Sequence, residues 1–319
     1  MSKSLAWMAL LGLAVSTAAA APVAVRPQDI VYRFSAADAD SYRRATLQCQ
    51  GTNKYFTAGK GGGGGRQEKS LSGGLMGTDD QGQSFAAFSV VPSPGEPGKS
   101  AFQWQVRPTD PDTAGSGAKR CEFSAGWKDL APERSVVRLA GLQANQVNWW
   151  AVAVRTDDWA ASGEANDWQV LWQWHDAYGG GLPPFLNLSA KGNHWYLQLV
   201  YDPNPTPKDA TLKRVALWDA PHVPNTWARF VVKSRKDMQS PSSSFVQIWL
   251  DGRQVVDYHG LFGYAVPQVD YAKVGIYHWI STANKWHPDV PLRRTWTKGP
   301  VQVNDNTGYT WESIDALLD

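Results

Sequence analysis

Short runs rich in β-branched and aromatic residues recur along this chain, each broken by a cluster of turn formers, and no long stretch repeats its apolar residues at the helical period. Such a chain can hide its apolar side chains only by packing sheet on sheet, so an all-β sandwich or jelly roll of two antiparallel sheets is expected. Phe102 to Val106, Trp150 to Val154, Trp195 to Leu199 and Phe230 to Lys233 read as strands. Phe245 to Leu250 and Arg253 to Tyr258 read as a hairpin, because the Asp251-Gly252 dipeptide between them tolerates positive φ. Gly59 to Gly65, Ser93 to Ser100 and Pro203 to Lys208 read as loops, and Trp311 to Leu318 as one or two helical turns.

Composition narrows the function classes. Of 319 residues, 43% are apolar and 12% aromatic, with 17 Trp, enough for a real core and too much for a disordered chain. A formal net charge of +2 is too balanced for a surface built to hold a nucleic-acid backbone, so no nucleic-acid partner is expected. Any polyanion must meet a local basic site. Gly98-Lys99-Ser100 is no phosphate-binding loop, because Ser93 stands where that motif needs Gly.

The N-terminus carries Lys3, an apolar run from about Leu5 to Val15, and small residues ending at Ala20 or Ala21. This is the pattern of a secretory signal, too short to span a bilayer. Residues 1–21 are expected to be removed, leaving 22–319 as a single soluble domain, secreted or periplasmic and monomeric, with no membrane partner. In an oxidising compartment Cys49 and Cys121 could form a disulfide, although sequence does not give their distance.

Three segments carry chemistry, because residues two apart on a strand share a face. In Lys119-Arg120-Cys121-Glu122-Phe123, the Glu122 carboxylate can hold the Arg120 guanidinium while Cys121 turns the other way; a surface ion pair explains the same pattern. In Leu171-Trp172-Gln173-Trp174-His175, the two tryptophans face the core and send Gln173 and His175 to an open face. An amide donor beside an imidazole suits anion recognition coupled to proton transfer. In Tyr271-Ala272-Lys273-Val274-Gly275-Ile276-Tyr277, the face of Tyr271, Lys273 and Tyr277 includes Gly275, which implies close approach of something to the backbone, a sugar ring or a bulge.

Together the segments resemble the alginate lyase, heparin lyase I and glucuronan lyase superfamily of polysaccharide lyases, which carries R-x-E, Q-x-H and Y-x-K-x-G-x-Y strands in this order. The resemblance covers roughly Ile30 to Ile280 and extends to Trp149 to Trp159, Trp227 to Val232 and Trp249 to Gly252. Two departures, Ala272 where alginate lyases usually carry Phe and the ending Ile276-Tyr277-His278-Trp279, put alginate in doubt as the substrate.

The resemblance implies a concanavalin A-like jelly roll with a concave substrate groove and β-elimination of an anionic polysaccharide of the glucuronan, heparin-like or alginate kind. It assigns Arg120 and Gln173 to the uronate carboxylate, His175 to removal of the C5 proton and Tyr277 to protonation of the leaving oxygen. Tyr277 could also do both proton transfers. Lys273 and Tyr271 would bind substrate, and Glu122 would orient Arg120. Some relatives hold a structural calcium, but no Asp-rich loop of the expected spacing is visible, so no cofactor is expected. Some of the tryptophans are expected to stack on sugar faces. Trp279, Trp286 and Trp296, among Lys285, Arg293, Arg294 and Lys298, are expected to rim the groove. The alternatives are a non-catalytic carbohydrate-binding module and a sandwich glycoside hydrolase. The module leaves the proton-transfer groups unexplained, and the hydrolase lacks a strand of alternating acidic residues.

Overall fold

The computed structural model describes residues 21–38, 41–42, 46–49, 56–57, 75–78, 84–108, 119–125, 145–158, 168–176, 181–192, 194–265, 270–278, 292–305 and 308–318. Its strands are β1 (Ile30–Arg33), β2 (Thr46–Cys49), β3 (Phe56–Thr57), β4 (Leu75–Thr78), β5 (Ser84–Pro92), β6 (Ser100–Val106), β7 (Lys119–Ala125), β8 (Val147–Thr156), β9 (Trp168–Asp176), β10 (Leu186–Lys191), β11 (His194–Asp202), β12 (Lys213–Pro221), β13 (Ala228–Arg235), β14 (Phe245–Leu250), β15 (Arg253–His259), β16 (Gly263–Tyr264), β17 (Asp270–His278) and β18 (Arg293–Asn304). The one α-helix among the described residues is α1 (Trp311–Asp315), continued by a 3-10 turn at Ala316–Leu318.

The strands form two sheets. One runs β15-β14-β13-β8-β18-β6-β5-β4, with β1 beside β18; the other runs β12-β11-β10-β9-β17-β7-β2-β3. All of these neighbours pair antiparallel except the short β16, which adds parallel to β11. The architecture is the expected jelly-roll sandwich. The β14–β15 hairpin turns at Asp251 and Gly252 with φ of 48° and 81°, the two positive values that the Asp-Gly dipeptide allows.

The main core lies between the sheets. Trp172 and Trp174 of β9 meet Trp150 and Phe230 of the other sheet, while Phe88, Phe102 and Trp104 surround Phe123. A second cluster covers the far face of the first sheet: Trp149, Ala151 and Ala153 of β8 pack with Val301, Val303, Tyr309, Ile314 and Leu318. This explains why β8 reads as a continuous apolar run rather than an alternating one, since both of its faces are covered. The first sheet is therefore covered on both sides around β8, β13 and β18, and the second keeps a polar outer face.

Cys121 is disulfide-bonded. The chain has only two cysteines, so its partner is Cys49, which lies opposite it in the β2–β7 register. Gly59 to Gly65 and the N-terminal residues 1–20 lie outside the described residues.

Candidate active site

The three motif strands are neighbours, in the order β9-β17-β7. Their register sets His175 opposite Tyr271, Gln173 opposite Lys273, Glu122 opposite Gly275 and Arg120 opposite Tyr277. Residues opposite one another in an antiparallel pair point to the same face. Trp172, Trp174, Ala272, Val274, Ile276 and Cys121 belong to the core, so the predicted site residues all share the outer face of the second sheet. In the register, Lys273, Gln173 and Glu122 lie between the level of His175 with Tyr271 and the level of Tyr277 with Arg120, and the Arg120 guanidinium acts on both His175 and Tyr277.

Glu122 is the hub. It is fully buried, accepts a hydrogen bond from Gln173 Nε2 at 2.6 Å, and places its other oxygen 3.2 Å from Arg120 Nε. With no exposed surface, it positions these two groups rather than touching a ligand itself. The guanidinium of Arg120 lies 4.2 Å from the centroid of the Tyr277 ring and hydrogen-bonds to Tyr277. Burial raises the Tyr277 phenol above its ordinary value, and Arg120 partly offsets the rise.

His175 stacks on Tyr271, with centroids 5.5 Å apart and planes 22° apart. Its Nδ1–H donates to the Asp176 carbonyl at 2.8 Å, a tautomer that leaves the lone pair on Nε2. Burial pushes the imidazole down to about 4, and the charges of Lys273 and Arg120 push it the same way. It is neutral at neutral pH and able to accept a proton. Lys273, 5.5 Å from the Tyr271 ring centroid, is lowered to about 8, first by burial and then by Arg120. One charge, that of Arg120, thus acts on His175, Lys273 and Tyr277 together.

Three expectations need correction. The outer face is not open: Gln173 is 2% exposed, Lys273 5% and Tyr271 6%, because polar side chains from neighbouring strands pack against one another there. Gly275, at φ 152°, admits a strand rather than a sugar: a Cβ at this position would lie 2.2 Å from the Cys121 carbonyl oxygen and 2.6 Å from the Glu122 Cα. The β17–β9 register also shifts between Val274 and Tyr277, which is the bulge reading of this glycine.

The proposed cationic rim is the third. Arg293 and Lys298 sit on β18 in the other sheet, Arg293 with no exposed surface and Lys298 bound to Glu96 and lying over Trp227. Trp296 is buried on the same strand, with Arg294 over its ring. Trp279, Lys285 and Trp286 lie outside the described residues.

Sequence reasoning overlooked the strands beside the motifs. Asn187 pairs with Gln173, Ser189 with Val170 and Lys191 with Trp168, and across the next ladder Tyr196 faces Ser189 and His194 faces Lys191. The signal was present in Leu186-Asn187-Leu188-Ser189-Ala190-Lys191, which alternates apolar and polar. Among the described residues, no group of three or more His, Cys, Asp or Glu side chains could hold a metal ion.

Residues 70–304 match the family model for polysaccharide lyases, and the chain belongs to that family. Its fold is similar to that of an endo-β-1,4-glucuronan lyase from the fungus Trichoderma reesei, with a TM-score of 0.51 at 18% identity over 68% of this chain and 87% of the other. It is also similar to a family 7 alginate lyase, A1-II', solved with a GGMG substrate, with a TM-score of 0.50 at 11% identity over 86% of this chain and 98% of the other. No curated protein matches the chain in sequence. The protein is a polysaccharide lyase, which sets aside both the carbohydrate-binding module and the hydrolase.

Proposed function

We propose that this lyase cleaves a uronate-containing polysaccharide by β-elimination and leaves a 4,5-unsaturated uronate end, with glucuronan the favoured substrate. The observation that carries the reading is a neutral imidazole, His175, on the same face as two cations, Arg120 and Lys273, that a sugar carboxylate can neutralise. The obstacle in this reaction is the C5 proton, which is barely acidic while the adjacent carboxylate keeps its charge. Arg120 and Gln173, both braced by Glu122, face the carboxylate as negative charge spreads into it. Preorganised donors of this kind contribute about 3 kcal/mol each when they act on a developing oxyanion.

His175 takes the C5 proton on Nε2. Tyr277, protonated because burial holds its phenol high, delivers a proton to the bridging oxygen as the bond to C4 breaks. Where proton and leaving group lie on the same side, Tyr277 serves both steps. The enzyme works without a cofactor, as one exported, monomeric jelly-roll domain over 22–319. Glucuronan is favoured over alginate by Ala272 and by the Ile276-Tyr277-His278-Trp279 ending, and over heparin-like chains by the scarcity of cation clusters.

The test is incubation with glucuronan, alginate and heparin while following the ultraviolet absorbance of the conjugated product. Absorbance should rise with glucuronan, and His175→Ala and Tyr277→Phe should abolish the rise while keeping the fold. Reducing ends released without absorbance would refute elimination, and unfolding of both variants would assign the two residues structural roles.

A further inference from the structure

Twelve of the seventeen tryptophans fall among the described residues, and nearly all of them are core. Trp168 differs. It is half-buried, belongs to neither core cluster, and stands on the outer face of β9. Its place there follows from the backbone: β9 slips by one residue against β10 between Leu188 and Ser189, which makes Leu171 the extra residue. Leu171 joins Trp172 in the core, and Val170 and Trp168 turn outward.

Trp168 stacks on Tyr196 of β11, with centroids 5.8 Å apart and planes 20° apart. Lys191 of β10 holds its ammonium 5.3 Å from the centroid of the Trp168 ring, and His194 lies 6.1 Å from Tyr196. All four side chains are only partly buried, unlike Gln173, Asn187 and Ser189 between them and the motif residues.

The cluster is continuous with the site. Tyr277 faces Val170, Val170 faces Ser189, Ser189 faces Tyr196 and Tyr196 faces Asp219, so one straight row crosses the sheet from the proposed acid to the aromatic pair. Three strand spacings separate β17 from β11, about 14 Å. At the far end the Asp219 carboxylate lies 3.7 Å from His194 and bounds the row with negative charge, so anion recognition falls to Lys191.

We propose that Trp168, Tyr196 and Lys191 form an outer subsite for the same polysaccharide, in which the paired rings support a sugar remote from the cleaved bond and Lys191 binds its carboxylate. The inference rests on the uronate reading above. Aromatic rings offer a rigid apolar surface at low entropic cost, and the ammonium at their border selects an acidic sugar over a neutral one. A chain lying along the row engages this subsite only if it extends several sugars beyond the reacting unit.

The test uses the full-length Tyr277→Phe protein, titrated calorimetrically with a glucuronan trisaccharide and a glucuronan octasaccharide. Adding Tyr196→Ala or Lys191→Gln should lower the ratio of octasaccharide to trisaccharide affinity about tenfold, whereas Tyr196→Phe, which keeps the ring, should preserve it. The loss from Lys191→Gln should shrink at high salt. An unchanged ratio in both variants, or an octasaccharide that binds no more tightly than the trisaccharide in the parent, overturns the subsite. Failure of the uronate reading shows separately, as a wild-type enzyme that forms no unsaturated product from glucuronan, alginate or heparin.

Discussion

Gly275→Ala tests the link between backbone packing and the site. At this position β17 runs so close to β7 that a Cβ would sit 2.2 Å from a carbonyl oxygen and 2.6 Å from a Cα, where real Cβ contacts essentially never fall under 3.0 Å. Both obstructing atoms are backbone, so no side-chain rotation relieves the overlap, and β7 has to retreat by most of an ångström. Holding a non-glycine residue at φ 152° costs about 1–3 kcal/mol, and forcing the strands apart adds about 1–3 kcal/mol of overpacking. Together these predict a loss of about 4 kcal/mol and, at about 2 °C per kcal/mol for a large domain, a Tm lower by about 8 °C. The atoms displaced belong to Cys121 and Glu122, so the retreat also shifts the carboxylate that braces Arg120 and Gln173. A displacement of about 1 Å at a positioning group costs about a hundredfold in rate. Thermal unfolding followed by circular dichroism, with kcat measured well below the variant's Tm, separates the two effects. A folded Gly275→Ala enzyme with wild-type Tm and wild-type kcat would refute the argument that strand approach dictates this glycine and holds the site.

The charges of the site predict a pH window. His175 must be unprotonated to accept a proton, so kcat/KM should rise as pH climbs through about 4; Lys273 must be protonated to bind a carboxylate, so kcat/KM should fall as pH passes about 8. Lys273→Arg, which keeps its charge at every accessible pH, should remove the alkaline fall, and a fall retained in that variant would assign it to another group. Next to the site on β17, Lys236 Nζ lies 3.0 and 2.8 Å from the two oxygens of Asp270, and the pair is almost wholly buried. Lys236→Met should cost about 3–5 kcal/mol in denaturant unfolding by leaving a buried carboxylate unmatched, and adding Asp270→Asn should recover most of it.

What the sequence made legible was local. Period-two alternation placed Gln173 and His175 opposite Trp172 and Trp174, and the Asp251-Gly252 dipeptide located a hairpin turn, because each depends on residues next to one another. Relations between distant segments were not legible. The Gln173 to Glu122 hydrogen bond joins residues 51 apart, and the Cys49–Cys121 pairing follows from the β2–β7 register, which no spacing encodes. Arg293 and Lys298 follow the last motif closely in sequence, yet β18 crosses to the other sheet, where Arg293 is fully buried and Lys298 pairs with Glu96 beside Trp227. Trp168 escaped notice because alternation extrapolated from Trp172 turns it inward, whereas the extra residue at Leu171 turns it outward.

The site gathers cations and carboxylates on one largely buried face. Arg120 lies 3.2 Å from Glu122, which also accepts from Gln173, and the Asp176 carboxylate lies 3.8 Å from His175. Burial is the first cause of the lowered His175 and Lys273, and the charge of Arg120 pushes both the same way. Burying such groups together is costly, and perturbed groups collected on one face are the mark of a functional site. An anionic ligand on this face would offset the charge of Arg120 and Lys273, and so raise His175 and make it a stronger base.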